Sequence, residues 1–80
     1  MLIGEALFLG KVDNKLRQLR RINDLTQEEL GNALGVTRHT IMALESRKYE
    51  PSIALALAIA RFFKLPVEEV FFLEDGGEDV

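Results

Sequence analysis

The 80-residue chain contains no cysteine, no tryptophan, one histidine and only two prolines. Without cysteine it can form no disulfide bond, no thiolate metal site and no thiol nucleophile. A single histidine is a poor basis for a structural metal site, so the sequence predicts neither a metal nor another cofactor. A stable core in so short a chain therefore depends on efficient helix packing or on self-association.

Long apolar runs are also missing. No stretch of 18 apolar residues occurs, so the sequence predicts no membrane-spanning helix. Residues 1–12 are apolar, but they have no basic start and no small-residue cleavage pattern, and a signal peptide is not expected. We therefore expect a cytoplasmic protein. The sequence shows no nucleophile–base pair, no metal-ligand spacing and no glycine-rich phosphate loop, which argues against an enzyme.

The net charge of −3 conceals an uneven distribution along the chain. Residues 11–64 contain all ten lysines and arginines and six acidic residues, whereas residues 65–80 contain six acidic residues and no basic one. A polyanion responds to a local patch over roughly 8–10 Å, so the acidic total does not exclude nucleic acid as a partner. Charge alone favours the simpler interpretation, an acidic solvated tail after a mildly basic globule.

Apolar spacing and capping residues predict about five helices with short connections and no strand in the body of the chain. The predicted helices are Asn14–Asn23, one from the Thr26 cap to Gly35, one opened by Thr37, one from Ser52 to about Phe63, and a short one from Pro66. The acidic, glycine-containing segment after residue 73 is predicted to be disordered.

The second and third helices carry the most specific local pattern. Thr26 and Glu29 have the spacing of a capping box, and Gly35-Val36 is the entire link to the next cap, Thr37. So short a link favours two helices that cross steeply, as in a helix-turn-helix. Gly31 lies within the second helix at a cost of about 1 kcal/mol relative to alanine, which a close helix approach would explain. A plain helical hairpin is the alternative.

Four segments in this order resemble the Cro/phage-repressor (XRE-like) helix-turn-helix family: Leu16–Arg20, Leu25–Leu30, Leu34–Ile41 and Leu44–Ser52. The resemblance covers roughly Asn14 to Leu73, and it is strongest to short bacterial and archaeal regulators that consist of the DNA-binding domain alone. It implies an all-α, compact five-helix lambda-repressor-like domain that binds double-stranded operator DNA as a symmetric homodimer.

The resemblance also implies roles for individual residues. The base-reading residues would be Thr37, Arg38, His39, Thr40 and Met42, and the phosphate-binding residues Gln27, Arg47, Lys48 and Tyr49. Arg38 could instead contact a phosphate, His39 could be an exposed bystander, and Met42 could belong to the core. Arg47 and Asp24 stand where many relatives have glycine, so we expect a left-handed backbone or an altered path there.

Arg20 and Glu45 match a family ion pair that links the first helix to the recognition helix. The alternative is two separate surface charges. If the pair is partly buried, loss of one partner would cost about 3–5 kcal/mol, because the other charge would be left unpaired. Both residues are therefore assigned a structural role and not a DNA contact.

The fourth predicted helix is apolar on every side from Ile53 to Ala60, which indicates a second covered face or exposed small alanines. Together with the aromatic residues near the C-terminus, this places the dimer contact on the fourth and fifth helices. The residues assigned to the interface are Val70, Phe71 and Phe72. The predicted division is an N-terminal extension that is either an arm or disordered (1–12), a helix-turn-helix DNA-binding domain (13–73) and an acidic disordered tail (74–80).

These observations predict a sequence-specific, dimeric DNA-binding transcriptional regulator, in particular a repressor that binds a palindromic operator. The alternative is an antitoxin or anti-repressor module whose apolar fourth and fifth helices hold a protein partner. A second small protein that co-purifies with the chain would favour that alternative. The operator, the regulated genes and any effector cannot be read from the sequence.

Overall fold

The computed structural model describes residues 11–74, which form helices and one small antiparallel sheet. The helices are α1 (Leu16–Ile22), α2 (Gln27–Leu34), α3 (Arg38–Glu45) and α4 (Ile53–Phe63). One turn of 3-10 helix covers Val67–Glu69, and the strands are β1 (Val12–Asn14) and β2 (Phe71–Leu73). Most of the predicted N-terminal extension (1–12) and acidic tail (74–80) lies outside the described residues. Where they are described, the predicted boundaries are wrong by a residue at each end, because Val12 belongs to β1 and the Glu74 amide donates to the Lys11 carbonyl oxygen at 2.8 Å.

The predicted caps begin and end the helices where the sequence places them. The Thr26 hydroxyl accepts from the amide of Glu29 at 3.0 Å, and the Glu29 carboxylate accepts from the amide of Thr26 at 2.9 Å. Gly35 ends α2 in the left-handed conformation with φ 78°. The hydroxyls of Thr37 and Ser52 cap α3 and α4 by accepting from the amides of Thr40 and Leu55, both at 3.1 Å. The short link between α2 and α3 is therefore specified by local hydrogen bonding.

Asp24 and Arg47 adopt positive φ angles of 56° and 64°. Many members of the helix-turn-helix family that the sequence resembles have glycine at these two positions. The expected left-handed backbone is confirmed at both. An L-residue in this region carries a small conformational strain, which aspartate tolerates better than arginine does.

The turn between α2 and α3 lies directly against Gly31. A Cβ atom at this position would be 2.8 Å from the carbonyl oxygen of Val36 and 3.2 Å from the carbonyl group of Thr37. The Val36 amide donates to the Gly31 carbonyl at 2.9 Å, and the Val36 side chain packs against the core. The close approach is thus confirmed, and it is so tight that even a methyl group would collide with the backbone of the turn.

The prediction of five helices and no strand is wrong at both ends of the domain. The segment after Pro66 forms only one 3-10 turn, and Phe71–Leu73 then pairs antiparallel with Val12–Asn14, with Asn14 opposite Phe71. Aromatic residues pack well on a pleated surface, and the pairing satisfies their backbone groups. Since β1 occupies the predicted start of the first helix, α1 begins two residues later, at Leu16.

The core takes apolar side chains from every helix and from the C-terminal segment. Its fully buried members are Leu16, Leu30, Ile41, Leu44, Ile59 and Val70. Phe71 is also buried, at 9% exposure. The assignment of Val70 and Phe71 to a dimer interface is therefore wrong, because both side chains lie inside their own chain. Phe72 is half-buried and stays a candidate for the interface.

Candidate nucleic-acid interface

Helix α3 has one face in the core and the opposite face in solvent. Ile41 and Leu44 are fully buried, whereas Arg38, His39 and Met42 are exposed. Residues three and four positions apart lie on the same side of a helix, and Met42 is three positions after His39 and four after Arg38, so the three exposed side chains form one patch at the N-terminal half of α3. The helix is eight residues, or about 12 Å, long, and α3 can present this patch to a groove of duplex DNA.

The two threonines of the predicted reading surface bond to each other and to the helix end. The Thr37 hydroxyl accepts from the Thr40 amide at 3.1 Å, and the two hydroxyl oxygens are also 3.1 Å apart. Thr37 is exposed and Thr40 is half-buried. Both threonines thus stabilise the N-terminus of α3. The long exposed side chains of this first turn are those of Arg38 and His39.

A buried carboxylate anchors the C-terminal end of α3. The Glu45 side chain is 1% exposed and accepts two hydrogen bonds from Arg20, at 2.6 Å from Nε and 3.1 Å from Nη2. Gln27 Nε2 donates to the same carboxylate at 3.2 Å, and Arg17 Nε lies 3.5 Å from it. The third donor of Arg20, Nη1, bonds to the carbonyl oxygen of Leu25 at 2.9 Å. The carboxylate therefore ties α1 and α2 to the exposed helix α3.

The electrostatic environment keeps both members of the pair charged. Burial alone raises the pKa of Glu45, but the hydrogen bonds from Arg20 and Gln27, with smaller effects of the Arg20 charge and of Arg17, hold the pKa below its usual range. The hydrogen bond to Glu45 likewise raises the pKa of Arg20. The predicted structural pair is present, and a charge-assisted bidentate contact of this kind fixes orientation as well as distance.

Asn14 provides a second attachment for α3. Its Nδ2 donates to the carbonyl oxygen of Leu44 at 2.9 Å, and its Oδ1 accepts from the amide of Leu16 at 3.0 Å. One side chain thus adds a second donor to the Leu44 carbonyl, which also accepts from the Arg47 amide at 3.0 Å, and satisfies a free amide at the start of α1. The sequence analysis placed Asn14 in a helix and missed this role.

Arg47 lies in the turn after α3, but its side chain extends toward the sheet. It forms ion pairs with Glu74 and, at 3.6 Å, with Asp13. Lys48 and Tyr49 are exposed, and the Lys48 amide donates to the carbonyl oxygen of Ala43 at 2.9 Å. Of the three predicted phosphate-binding residues in this loop, Arg47 is thus the one whose charge is shared with carboxylates of its own chain.

A cleft of about 320 Å³ lies between α1, the start of α2 and the exposed side of α3. It is lined by Arg17, Gln27, His39, Met42, Ala43, Ser46 and Lys48. The structure thus brings four of the nine predicted DNA-binding residues into the cleft, and the other five lie outside it: Thr37, Arg38, Thr40, Arg47 and Tyr49. Arg17 was missed by the sequence analysis, although its position three residues before Arg20 places both on one side of α1.

Comparison with known proteins agrees with the fold. A family model described as helix-turn-helix matches residues 16–70. A transcriptional regulator of this type from Methanocaldococcus jannaschii, itself uncharacterised, is 50% identical over 62 residues, which are 78% of this chain and 94% of that protein. The chain belongs to the Cro/phage-repressor (XRE-like) helix-turn-helix family.

Two further matches extend the comparison. The transcriptional repressor RstR of the cryptic phage CTXphi, from Vibrio cholerae, is 35% identical over 57 residues, which are 71% of this chain and 51% of the repressor. A crystal structure from Bacteroides fragilis, described as a candidate DNA-binding protein, superimposes with a TM-score of 0.67 at 18% identity. It covers 75% of this chain and 97% of the other. At this identity the structural match shows the fold alone.

Two other kinds of site are absent from the part of the chain that the structure describes. Between residues 11 and 74, no helix is long and apolar enough to cross a membrane. Over the same residues, no three His, Asp or Glu side chains are grouped to hold a metal ion.

Proposed function

We propose that the chain is a transcriptional regulator that binds duplex DNA with α3 as the recognition helix. The observation that carries this proposal is the exposed patch of Arg38, His39 and Met42 on a helix whose other face is buried and whose end is anchored by Glu45. A helix held rigidly on its inner side loses little conformational entropy when its outer side enters the major groove. The names of the relatives above agree with this function.

The proposed contacts divide into base reading and phosphate binding. Arg38 and His39 would donate to base edges, Met42 would contact a thymine methyl group, and Thr37 and Thr40 would frame the first turn. Gln27, Lys48 and Tyr49 would contact backbone phosphates, and Arg47 would do so in exchange for its carboxylate partners. Phosphate contacts position the protein, whereas base contacts supply its sequence preference.

Replacing Arg38 and Lys48 separately with alanine tests this division. We expect the Arg38→Ala variant to lose about 1–3 kcal/mol of discrimination between a selected duplex and its single-base variants. The Lys48→Ala variant should weaken all duplexes alike and lower the log–log salt slope by about 0.9 for each phosphate that Lys48 binds. Fluorescence anisotropy with duplexes selected from a random pool measures both quantities.

Two results would contradict the proposal. Equal losses of discrimination in the two variants would remove the distinction between base reading and phosphate binding. Absence of binding by the unmodified chain to every selected and promoter-type duplex at low salt would remove DNA as the partner.

The proposed active form is a homodimer in which two copies of α3 enter successive major grooves, with half-sites about 34 Å apart. The exposed face of α4 is the proposed contact with the second copy, since Ile53 and Leu57 are 80% and 53% exposed. Ala54 and Ala58 lie beside them in a shallow groove of about 310 Å³.

A charged substitution on this face should dissociate the dimer without unfolding the monomer. We expect Leu57→Glu to lower the apparent mass in sedimentation or light scattering and to weaken operator binding. Glutamate costs little at an exposed site but much inside an interface. Ile22→Glu on α1, at 75% exposure, is the matched control and should leave the mass unchanged. A monomeric unmodified chain, or one that elutes in a stable complex with a different protein, would contradict self-association through α4.

Repression is the proposed outcome of operator binding, because an occupied operator within a promoter excludes polymerase. A reporter gene placed behind the selected operator should therefore be expressed less when the chain is present. Increased expression would show an activator that uses the same DNA contacts.

A further inference from the structure

The charges around Glu45 leave one positive group at the surface of the proposed interface. Glu45 and Arg20 neutralise each other, and both side chains are almost inaccessible, at 1% and 10% exposure. Arg17 adds a second positive charge to the same carboxylate, 3.5 Å from it, but its side chain is 55% exposed. The three side chains together carry a net charge of +1, and only Arg17 presents that charge to solvent.

The exposed guanidinium of Arg17 lines the cleft described above, opposite the recognition helix and the loop after it. Lys48 contributes a second positive charge to the cleft, and Gln27, His39 and Ser46 contribute hydrogen-bonding groups. No residue among those lining the cleft is acidic. A concave surface with two cations and no acidic lining residue attracts an anion, and its position beside α3 is where the edge of a DNA groove would lie.

We propose that this cleft binds one backbone phosphate of the duplex and that Arg17 is its principal ligand. The inference rests on the proposed function and adds a contact from α1 to those of α2, α3 and the following loop. Glu45 restricts the Arg17 side chain before DNA arrives, so less rotamer entropy is lost when the guanidinium donates to a phosphate oxygen. The carboxylate that orients α3 thereby also positions the phosphate ligand next to it.

The experiment compares Arg17→Gln with Arg21→Gln, which removes the same charge from an exposed position on the same helix outside the cleft. Dissociation constants are measured on selected and unrelated duplexes over a range of salt concentrations. For Arg17→Gln we expect affinity to fall about five- to tenfold near 0.1 M salt on every duplex, with a salt slope lower by about 0.9 per protomer. For Arg21→Gln we expect a slope close to that of the unmodified chain.

Arg17→Lys separates the charge from the guanidinium and controls for damage to the Glu45 cluster. It should restore most of the salt slope, because a lysine at this position retains the charge. An unchanged slope in Arg17→Gln would overturn the proposal, as would a loss of affinity without a change in slope or equal slopes in the Arg17 and Arg21 variants. If the unmodified chain binds no duplex, the proposed function fails first, so the two failures are distinguishable.

Discussion

Glu45→Ala is expected to lower the free energy of unfolding by about 3–5 kcal/mol. The substitution leaves the buried guanidinium of Arg20 without its bidentate partner and removes the acceptor of Gln27. A small domain has only about 5–15 kcal/mol of stability in total, so this variant should be largely unfolded at moderate urea. Urea denaturation followed by circular dichroism at neutral pH measures the difference.

Glu28→Ala is the matched control, because Glu28 is an exposed carboxylate in the first turn of α2. An exposed substitution of this kind should change stability by no more than about 0.5 kcal/mol. If the Glu45 and Glu28 variants lost the same amount, the buried pair would contribute nothing specific. The double variant Arg20→Met with Glu45→Leu should recover part of the loss, because it leaves no unpaired buried charge.

The Arg20–Glu45 pair should also make the stability of the unmodified chain fall at acidic pH. The pKa of Glu45 is lower in the folded state than its usual range, so its contribution to stability is complete above the unfolded-state pKa. That contribution is lost as the pH falls through the folded-state pKa. We therefore expect stability to decline with acidification below about pH 5, and to decline less steeply in the Glu45→Ala variant.

Gly31→Val is expected to cost about 3 kcal/mol, near the upper end for overpacking a tight site. The Cβ atom alone would lie 2.8 Å from the Val36 carbonyl oxygen, and the two methyl groups of valine add to the collision. The obstacle is backbone and not a flexible side chain, so the turn itself must move. Because this turn leads directly into Thr37 and α3, we also expect weaker DNA binding. Thermal or urea unfolding and fluorescence anisotropy measure the two effects.

Ala33→Val provides the control for the β-branched side chain, since Ala33 is exposed on the same helix. It should cost only the difference in helix propensity, about 0.6 kcal/mol. Gly31→Ala gains up to about 1 kcal/mol of propensity and should lose less than Gly31→Val. Equal effects of valine at positions 31 and 33 would show that the close approach to the turn does not matter.

The departures from prediction share one physical origin. The C-terminal segment was expected to be a helix with Val70 and Phe71 at a dimer contact, but the structure shows a strand and two buried side chains. The apolar pattern at this point is compatible with either conformation over so few residues. Pairing with Val12–Asn14 selects the strand. Nothing in the local sequence of either segment indicates that the two segments pair.

The sequence by itself determined the features that depend on neighbours in the chain. The caps at Thr26, Thr37 and Ser52, the left-handed Gly35 and the need for a small residue at Gly31 follow from short-range hydrogen bonds and sterics. Such contacts form within a few residues, so spacing alone is enough to identify them. The family resemblance could be seen in the sequence for the same reason, because the segments that carry it contain these caps and the turn.

Apart from the Arg20–Glu45 pair, which the family resemblance implied, only the tertiary structure decided which charges meet. Arg17 and Gln27 join the carboxylate of Glu45 across 28 and 18 positions of sequence, and Arg47 turns away from the proposed interface to meet Asp13 and Glu74. Long polar side chains can reach several partners, and burial and packing select among them. The position of α3 against α1 and α2, and the cleft beside it, therefore depend on how the helices pack together.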